Sequence, residues 1–450
     1  MSAKMHRPDG RGHLLRVLGL GFGLAMGVGS MIGGGILRTP GLVVQEVPAW
    51  WLLIALWVFG GLHAMLTANV VSEVMTAVPK NGGLYNAVGA AFGDLGALVV
   101  AWTDWLIGPA AIAALAIACA EFLTIINPAF QPWTSWIGIG VTAALFALNW
   151  AGVREGGLTQ AITSLAKVLL LLGLIATVIM LPSASNVADA PAASTKPLTF
   201  FGIIVAYQLI TGTYSGWPNP AYFAEEDTQP GSNIPRALFT SLTAVTLLYV
   251  AMNVALLYAL PIDQLAGTPL PAATVLKRQF GEAGVVFVAA VGAIAAIGII
   301  NAQILVATRV LHAMGRDRYI PPVFARVNKG GTPDVAMGLT AVLAMFLTAT
   351  GQFGTVFLIM GALGIFVLVF VDVAFFKLRI SQPNLPRPFH ARLYPWLPAI
   401  ALLLDLGVAI AFVVADLWSG LYMGLAILAC IPLAMWARRR PNSSEAAEAA

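Results

Sequence analysis

The sequence predicts an all-α integral membrane protein with about twelve transmembrane helices. Three observations carry that prediction. Hydrophobic residues make up 59% of the 450 and charged residues only 10%, against about 25% charged in a soluble domain, and mean hydropathy is +0.85. Apolar runs of spanning length, about 20 residues each, recur along the whole chain. The first and the sixth of these runs are interrupted in the same manner.

The first run, 17–45, contains Gly27-Val28-Gly29-Ser30-Met31-Ile32-Gly33-Gly34-Gly35-Ile36. Each glycine costs a helix about 1 kcal/mol, and broken backbone at membrane depth persists only where it is buried in protein or lines a cavity. The stretch is either a binding site made of main chain, which glycine lets a ligand approach closely, or a surface for close helix packing. Spans follow at 49–78, 95–126, 134–152 and 157–181. The sixth, 199–224, holds Gly212-Thr213-Tyr214-Ser215-Gly216-Trp217-Pro218-Asn219-Pro220, where two prolines and two glycines forbid a continuous helix. The remaining spans fall at 237–260, 284–311, 335–351, 354–378, 396–416 and 419–437.

Interrupted spans five helices apart are the pattern of two five-helix halves in an inverted repeat, with a site at midplane between them. That pairing favours the binding-site reading. It divides the chain into a tail (1–16), a first repeat (17–181), a second (199–378), two added helices (396–437) and a second tail (438–450). Residues 1–16 are polar and basic without a cleavage site, so they read as a tail and not a signal peptide. With that end inside, nineteen of the 24 basic residues fall in cytoplasmic segments, which predicts both termini on the cytoplasmic side. The expected location is the inner (plasma) membrane of a bacterium.

Several function classes drop out. Cys119 and Cys430 sit in apolar runs and suggest neither a disulfide nor a metal site. The five histidines lack metal-ligand spacing. Gly19, Gly21 and Gly23 mimic part of a nucleotide motif inside a membrane helix, where it has no meaning. No enzyme activity, cofactor or nucleic-acid partner is expected.

Two charges lie deep in spans. Lys167 stands about ten residues into the fifth, where a charge costs at least ~2.5 kcal/mol. It either snorkels to the interface, braces the carbonyl-bearing end of the first half-helix as a fixed cation, or carries a proton. Asp104, in Trp102-Thr103-Asp104-Trp105, is either a proton carrier, a substrate partner or a structural acceptor. Glu121, Asp372 and Asp405 also lie in or near spans and receive no role. Arg16 and the cluster Glu225-Glu226-Asp227 read either as an inner gate or as ordinary solvated charges.

Several motifs in order resemble the amino acid–polyamine–organocation superfamily, above all its L-type amino acid transporters and the arginine/agmatine antiporter. Gly33-Gly34-Gly35-Ile36-Leu37 with Pro40 resembles the first-helix element. Tyr214-Ser215-Gly216-Trp217 with Glu225-Glu226 resembles the sixth helix. Pro230 and Asn233-Ile234-Pro235-Arg236 resemble the entry to the seventh. Glu73 with Pro79-Lys80-Asn81-Gly82-Gly83-Leu84-Tyr85 resembles the second-to-third connection. Thr308-Arg309, Asp317, Ile320-Pro321-Pro322 and Gly331-Thr332-Pro333 resemble the eighth-to-ninth.

The resemblance implies a leucine-transporter-type inverted repeat and a permease working by alternating access. Helix ends supply both halves of a zwitterion site: unpaired N–H groups for a carboxylate and unpaired carbonyls for an ammonium. It places the carboxylate on the amides of Gly33, Gly34 and Gly35, and the ammonium on the carbonyls of Met31, Gly212 and Ser215. Gly212 departs from the bulky aromatic of relatives, which passes closure of the site to a residue such as Tyr214 or Trp217, both otherwise packing residues. Gly34 departs from a small hydroxyl residue, and Gln303 from the antiporter's tryptophan. A lysine placed as Lys167 is implies sodium-independent transport, by proton-linked uptake or exchange, and the absence of an obvious acidic cluster points to neutral L-amino acids as the substrates. A polyamine or organic-cation carrier of the same fold, and a channel, stay as alternatives. No cysteine lies in an outer segment, so no disulfide-linked partner subunit is expected; the partners are the amino acid, protons and the lipid bilayer.

Overall fold

The computed structural model describes residues 18–80, 82–180, 197–328, 330–415 and 417–438. The N-terminal tail, with Arg16, and all but the first residue of the C-terminal tail lie outside them. The described chain is helical, with a lone Leu18–Asp227 bridge as its β-type contact. The helices are α1 (Leu20–Met31), α2 (Gly34–Glu46), α3 (Trp50–Ala77), α4 (Tyr85–Ile126), α5 (Thr134–Ala151), α6 (Val153–Met180), α7 (Phe200–Tyr214) and α8 (Pro230–Ala259). After the short α9 (Ile262–Leu265) and α10 (Pro271–Phe280) come α11 (Glu282–Arg316), α12 (Asp334–Ala349), α13 (Phe353–Ser381), α14 (Trp396–Ala415), α15 (Leu417–Leu428) and α16 (Ile431–Arg438).

Seven of these, α3, α4, α6, α8, α11, α13 and α14, are long and apolar enough to cross a bilayer alone. The pair α1 and α2, bent by 41° across Ile32 and Gly33, makes an eighth. Three boundaries differ from the sequence reading. The third run begins ten residues earlier, because Gly93 at φ +78° kinks α4 and lets residues 85–92 run at an angle to the span. The last run is broken at residues 429–430 into α15 and α16. The connection from seventh to eighth run is not plain loop but folds into α9 and α10, the latter carrying Lys277 and Arg278 in its last turn, where cations suit the negative helix end.

The helices are inverted relative to those of a soluble protein. On α6, Leu158, Ile162, Leu165, Leu169 and Leu172 are exposed, while Gln160, Ser164 and Lys167 face inward and are buried. Hydrocarbon outside and hydrogen-bonding groups inside is the arrangement lipid demands. The packing is also paired. α2 lies on α7, α3 on α8, α4 on α11 and α5 on α12. α4 and α11 form the centre, and α1 is held between α6 and α8.

Candidate functional site

α1 ends at Met31 because Ile32 turns out of helix, and α2 restarts with extended Gly33 as its N-cap. α7 ends at Tyr214, two residues beyond the expected Gly212. Ser215 leaves the helix and Gly216 sits at φ +94°. A Cβ on Gly216 would stand 2.7 Å from the Ser30 carbonyl oxygen, so both the angle and the space require glycine. The two breaks therefore touch directly.

The carbonyls freed at the end of α1 are satisfied by side chains. Lys167 Nζ donates to the Gly29 carbonyl. Tyr249 Oη lies 2.7 Å from Met31 O and 3.2 Å from Thr213 O, so a single hydroxyl links the two breaks. Asn219 Nδ2 donates to Ser30 Oγ at 2.9 Å, and Thr213 Oγ1 to Thr39 Oγ1 at 3.0 Å. Two expected ammonium acceptors are thus engaged within the protein: Met31 O by Tyr249, and Gly212 O by the Ser215 amide at 3.2 Å. Tyr249→Phe should cost about 1–3 kcal/mol by leaving a buried carbonyl unpaired, a loss readable as a lower Tm of the detergent-solubilised protein.

A cavity of about 170 Å³ opens beside the second break. Gly212, Tyr214, Ser215, Gly216, Trp217 and Asp104 line it. Met31, Gly33, Gly34, Gly35 and Lys167 are not among its lining residues. The Cβ direction of Gly33 points at Ile299, that of Gly34 at the Phe122 ring (3.1 Å) and that of Gly35 at Thr213 (3.1 Å). Gly27 and Gly29 are packing glycines, since a Cβ would overlap Ser241 on α8 and Ser164 on α6 respectively.

The tyrosine and tryptophan of the second break, Tyr214 and Trp217, are both buried. Tyr214 donates to the Trp57 carbonyl at 2.9 Å and packs on the Tyr249 ring at 5.1 Å, fixed in place. The Gly212 Cβ direction meets Phe357 of α13 at 3.7 Å, an aromatic facing the space left by the missing side chain. Asp104 is buried, takes 2.8 Å from the Tyr222 hydroxyl on Oδ1, and has no partner for Oδ2.

An amino acid permease model matches residues 18–431 of the sequence, a stretch that contains both breaks, the cavity and every helix but α16. The chain is an amino acid permease. It is similar to the serine/threonine exchanger SteT of Bacillus subtilis, 27% identical over 94% of this chain and 96% of the relative. The branched-chain amino acid permease BcaP of the same organism is 27% identical over 88% of each. The human large neutral amino acids transporter small subunit 2 is 27% identical over 84% of this chain and 73% of the relative. The family and these relatives are transporters, not enzymes, and the function is amino acid transport across a membrane.

The permease uses polar residues that the sequence reading passed over. Gln160, Ser164 and Lys167 recur at four- and three-residue spacing on one face of α6. Ser164 donates to Ala25 O at 2.8 Å, and Gln160 accepts from Asn301 at 3.0 Å, which in turn accepts from Asn149 at 2.8 Å. Read as a stripe and not as one lysine, that spacing identifies the α1-gripping face of α6.

At one end of the permease, Glu226 and Asp227 are buried and not the solvated charges that sequence alone allows. Arg309 Nη2 meets Glu226 Oε2 at 2.9 Å and stacks its guanidinium on Phe223 at 4.3 Å. Arg316 makes two bonds to Glu225 at 2.8 and 2.9 Å, and Tyr85 donates to Asp317 at 2.7 Å. The strand-like contact of Leu18 with Glu226 and Thr228 ties the start of α1 to the same cluster. Charged pairs with this geometry hold α1, the segment after α7 and α11 together at that end.

Proposed function

We propose that the permease is a sodium-independent secondary active transporter of neutral L-amino acids, working by alternating access through proton-linked uptake or amino acid exchange. The observation that carries this reading is the junction of the two interrupted helices through Tyr249, beside a cavity lined by Gly212 to Trp217. Helix ends at midplane offer amides to a carboxylate and carbonyls to an ammonium. The amides of Gly33, Gly34 and Gly35 are the proposed carboxylate donors, reached when the packing of Ile299 against them opens. Ser215 O, with Met31 and Gly212 as second-acceptor carbonyls, is the proposed ammonium site.

Supporting the alternating cycle, α2–α7, α3–α8, α4–α11 and α5–α12 pack as counterpart pairs, as two inverted five-helix halves (17–181 and 199–378) would. The added helices 396–437 complete the twelve-span reading. Supporting neutral substrates, the relatives' names are those of serine/threonine, branched-chain and large neutral amino acid carriers. The basic-residue asymmetry supports a plasma membrane location with both termini cytoplasmic.

Lys167 supports sodium independence, because an ammonium already occupies the carbonyl-rich end of α1. Uptake into proteoliposomes should be unchanged when choline replaces sodium; loss of uptake would overturn the reading. A thermal-shift screen of the twenty amino acids identifies the substrate, since a ligand at 100 times its Kd adds about 2.7 kcal/mol of stability.

One observation favours a second reading. Asp104 presents an unpartnered, buried oxygen to the cavity, which suits an organic cation such as a polyamine. Competition of putrescine against alanine decides between them.

A further inference from the structure

On the wall of the cavity, four helices bring together a group of buried polar side chains with no assigned role. Asp405 of α14 is the centre. Its Oδ1 is 3.1 Å from His63 Nε2 on α3, and its Oδ2 accepts from Thr67 at 3.0 Å. His63 Nδ1 is 2.6 Å from the Tyr207 hydroxyl on α7. Asp372 of α13 is fully buried against the Asp405 carboxyl, and neither of its oxygens receives a hydrogen bond. His63, Thr67 and Asp405 line the cavity; Asp372 stands behind them.

Two features separate this group from ordinary structural pairing. Asp372 and Asp405 are neighbouring buried carboxyls, neither Asp372 oxygen has a donor, and a hydrogen bond between the two forms only when one of them carries a proton. The charge count points the same way. No lysine or arginine among the described residues pairs with either carboxylate, so the fully ionised group His63–Asp405–Asp372 carries one net negative charge in an apolar interior. One added proton removes it. The other polar groups nearby are Tyr207, which bonds His63, and Asp104 with Tyr222, which line the same cavity. α15, which also packs on α13 and α14, carries no acidic or basic residue. Further along α3 and α13, Glu73 is held by Arg379 and Arg387 in a separate ion-paired group.

We propose that His63, Asp405 and Asp372 form the proton-carrying site of the permease, coupled to substrate through the cavity that Asp405 shares with Gly212 and Ser215. The inference rests on the transport reading above and goes beyond it by naming the coupling group. The proton arrives from water through the cavity, passes by way of His63 or Asp405 to the space between the two carboxyl groups, and leaves by the same groups when the cavity faces the other side. No bond other than O–H and N–H forms or breaks. Lys167 is then free to serve as a strut: its ammonium is committed to Gly29 O, and Gly298 leaves just enough room for it, since a Cβ there would stand 2.7 Å from Nζ.

Asp372→Asn tests the proposal, because asparagine keeps the shape and supplies a permanent N–H donor to Asp405 in place of the proton. At one proton per substrate, a gradient of one pH unit, alkaline inside, supports about tenfold accumulation. Wild-type proteoliposomes should show that accumulation and lose it with a protonophore. The Asp372→Asn protein should still bind substrate by thermal shift and exchange it across the membrane, yet accumulate none and show a flat pH profile. Wild-type accumulation by Asp372→Asn, or wild-type uptake indifferent to the pH gradient while binding and exchange are intact, overturns the proposal. Failure of the wild type to bind or exchange any amino acid instead sinks the transport reading itself, and this proposal with it. Should Asp372→Asn not fold, His63→Gln, which keeps a hydrogen-bonding partner for Tyr207, must give the same split between exchange and accumulation.

Discussion

Lys167→Met should abolish uptake in proteoliposomes while leaving a folded protein. The lysine is buried, and its ammonium meets the Gly29 carbonyl in the last turn of α1. Methionine preserves the length of the side chain, so the packing of α6 against Gly298 survives. The carbonyl, however, loses its donor, at a cost of about 1–3 kcal/mol, and the negative end of α1 loses the positive charge that fixes it to α6. On the alternating-access cycle proposed above, that end is one wall of the substrate site. Lys167→Ala adds a void of several methylenes, and its total cost should reach about 3–5 kcal/mol, visible as a Tm well below that of Lys167→Met. Wild-type uptake by Lys167→Met would refute the strut.

Gly34→Val should also abolish transport, by a route the geometry makes specific. The Cβ position of Gly34 points at Phe122, 3.1 Å away, and not into the cavity. Phe122 cannot retreat: its ring is fully buried, packs over Gly292, and carries the Arg38 guanidinium at 4.6 Å. The two added γ-methyls must therefore push the first turn of α2 away from α4. Overpacking of this kind costs about 1–3 kcal/mol, and it displaces the amides of Gly33 to Gly35 on which the substrate carboxylate is proposed to sit. Substrate binding by thermal shift should vanish in a protein that still folds. Full activity in Gly34→Val would show that these amides do not touch the substrate. Gly33→Ala is the milder companion, because the atom in its way is the terminal methyl of Ile299, which can rotate.

Much of the architecture was legible in the sequence. The breaks at Gly33 and after Gly212 were visible because glycine and proline remove or weaken the only hydrogen bonds a lipid-embedded backbone can make. Lys167 stood out for the same reason, as a charge where a charge is expensive. What could not be read was which groups the broken ends use. Tyr249, Asn219 and Phe357 look like ordinary residues of apolar runs until α8, the segment after α7 and α13 fold against the breaks. The cluster at Glu226 was ambiguous because a charge in a connection costs nothing until Arg309 buries it. Asp372 and Asp405, more than thirty residues apart and each unremarkable in its own span, become a proton site only where α13 and α14 meet beside His63.

By itself, then, the sequence determined that the chain is an all-helical membrane protein and the two places where helix must stop, since each follows from local backbone chemistry in a medium without water. Tertiary structure alone decided which carbonyls remain open, where the cavity lies, and which buried charges stand together. Those depend on distances between residues far apart in the chain, and a buried donor, acceptor or charge acquires its meaning only from the partner that packing places beside it.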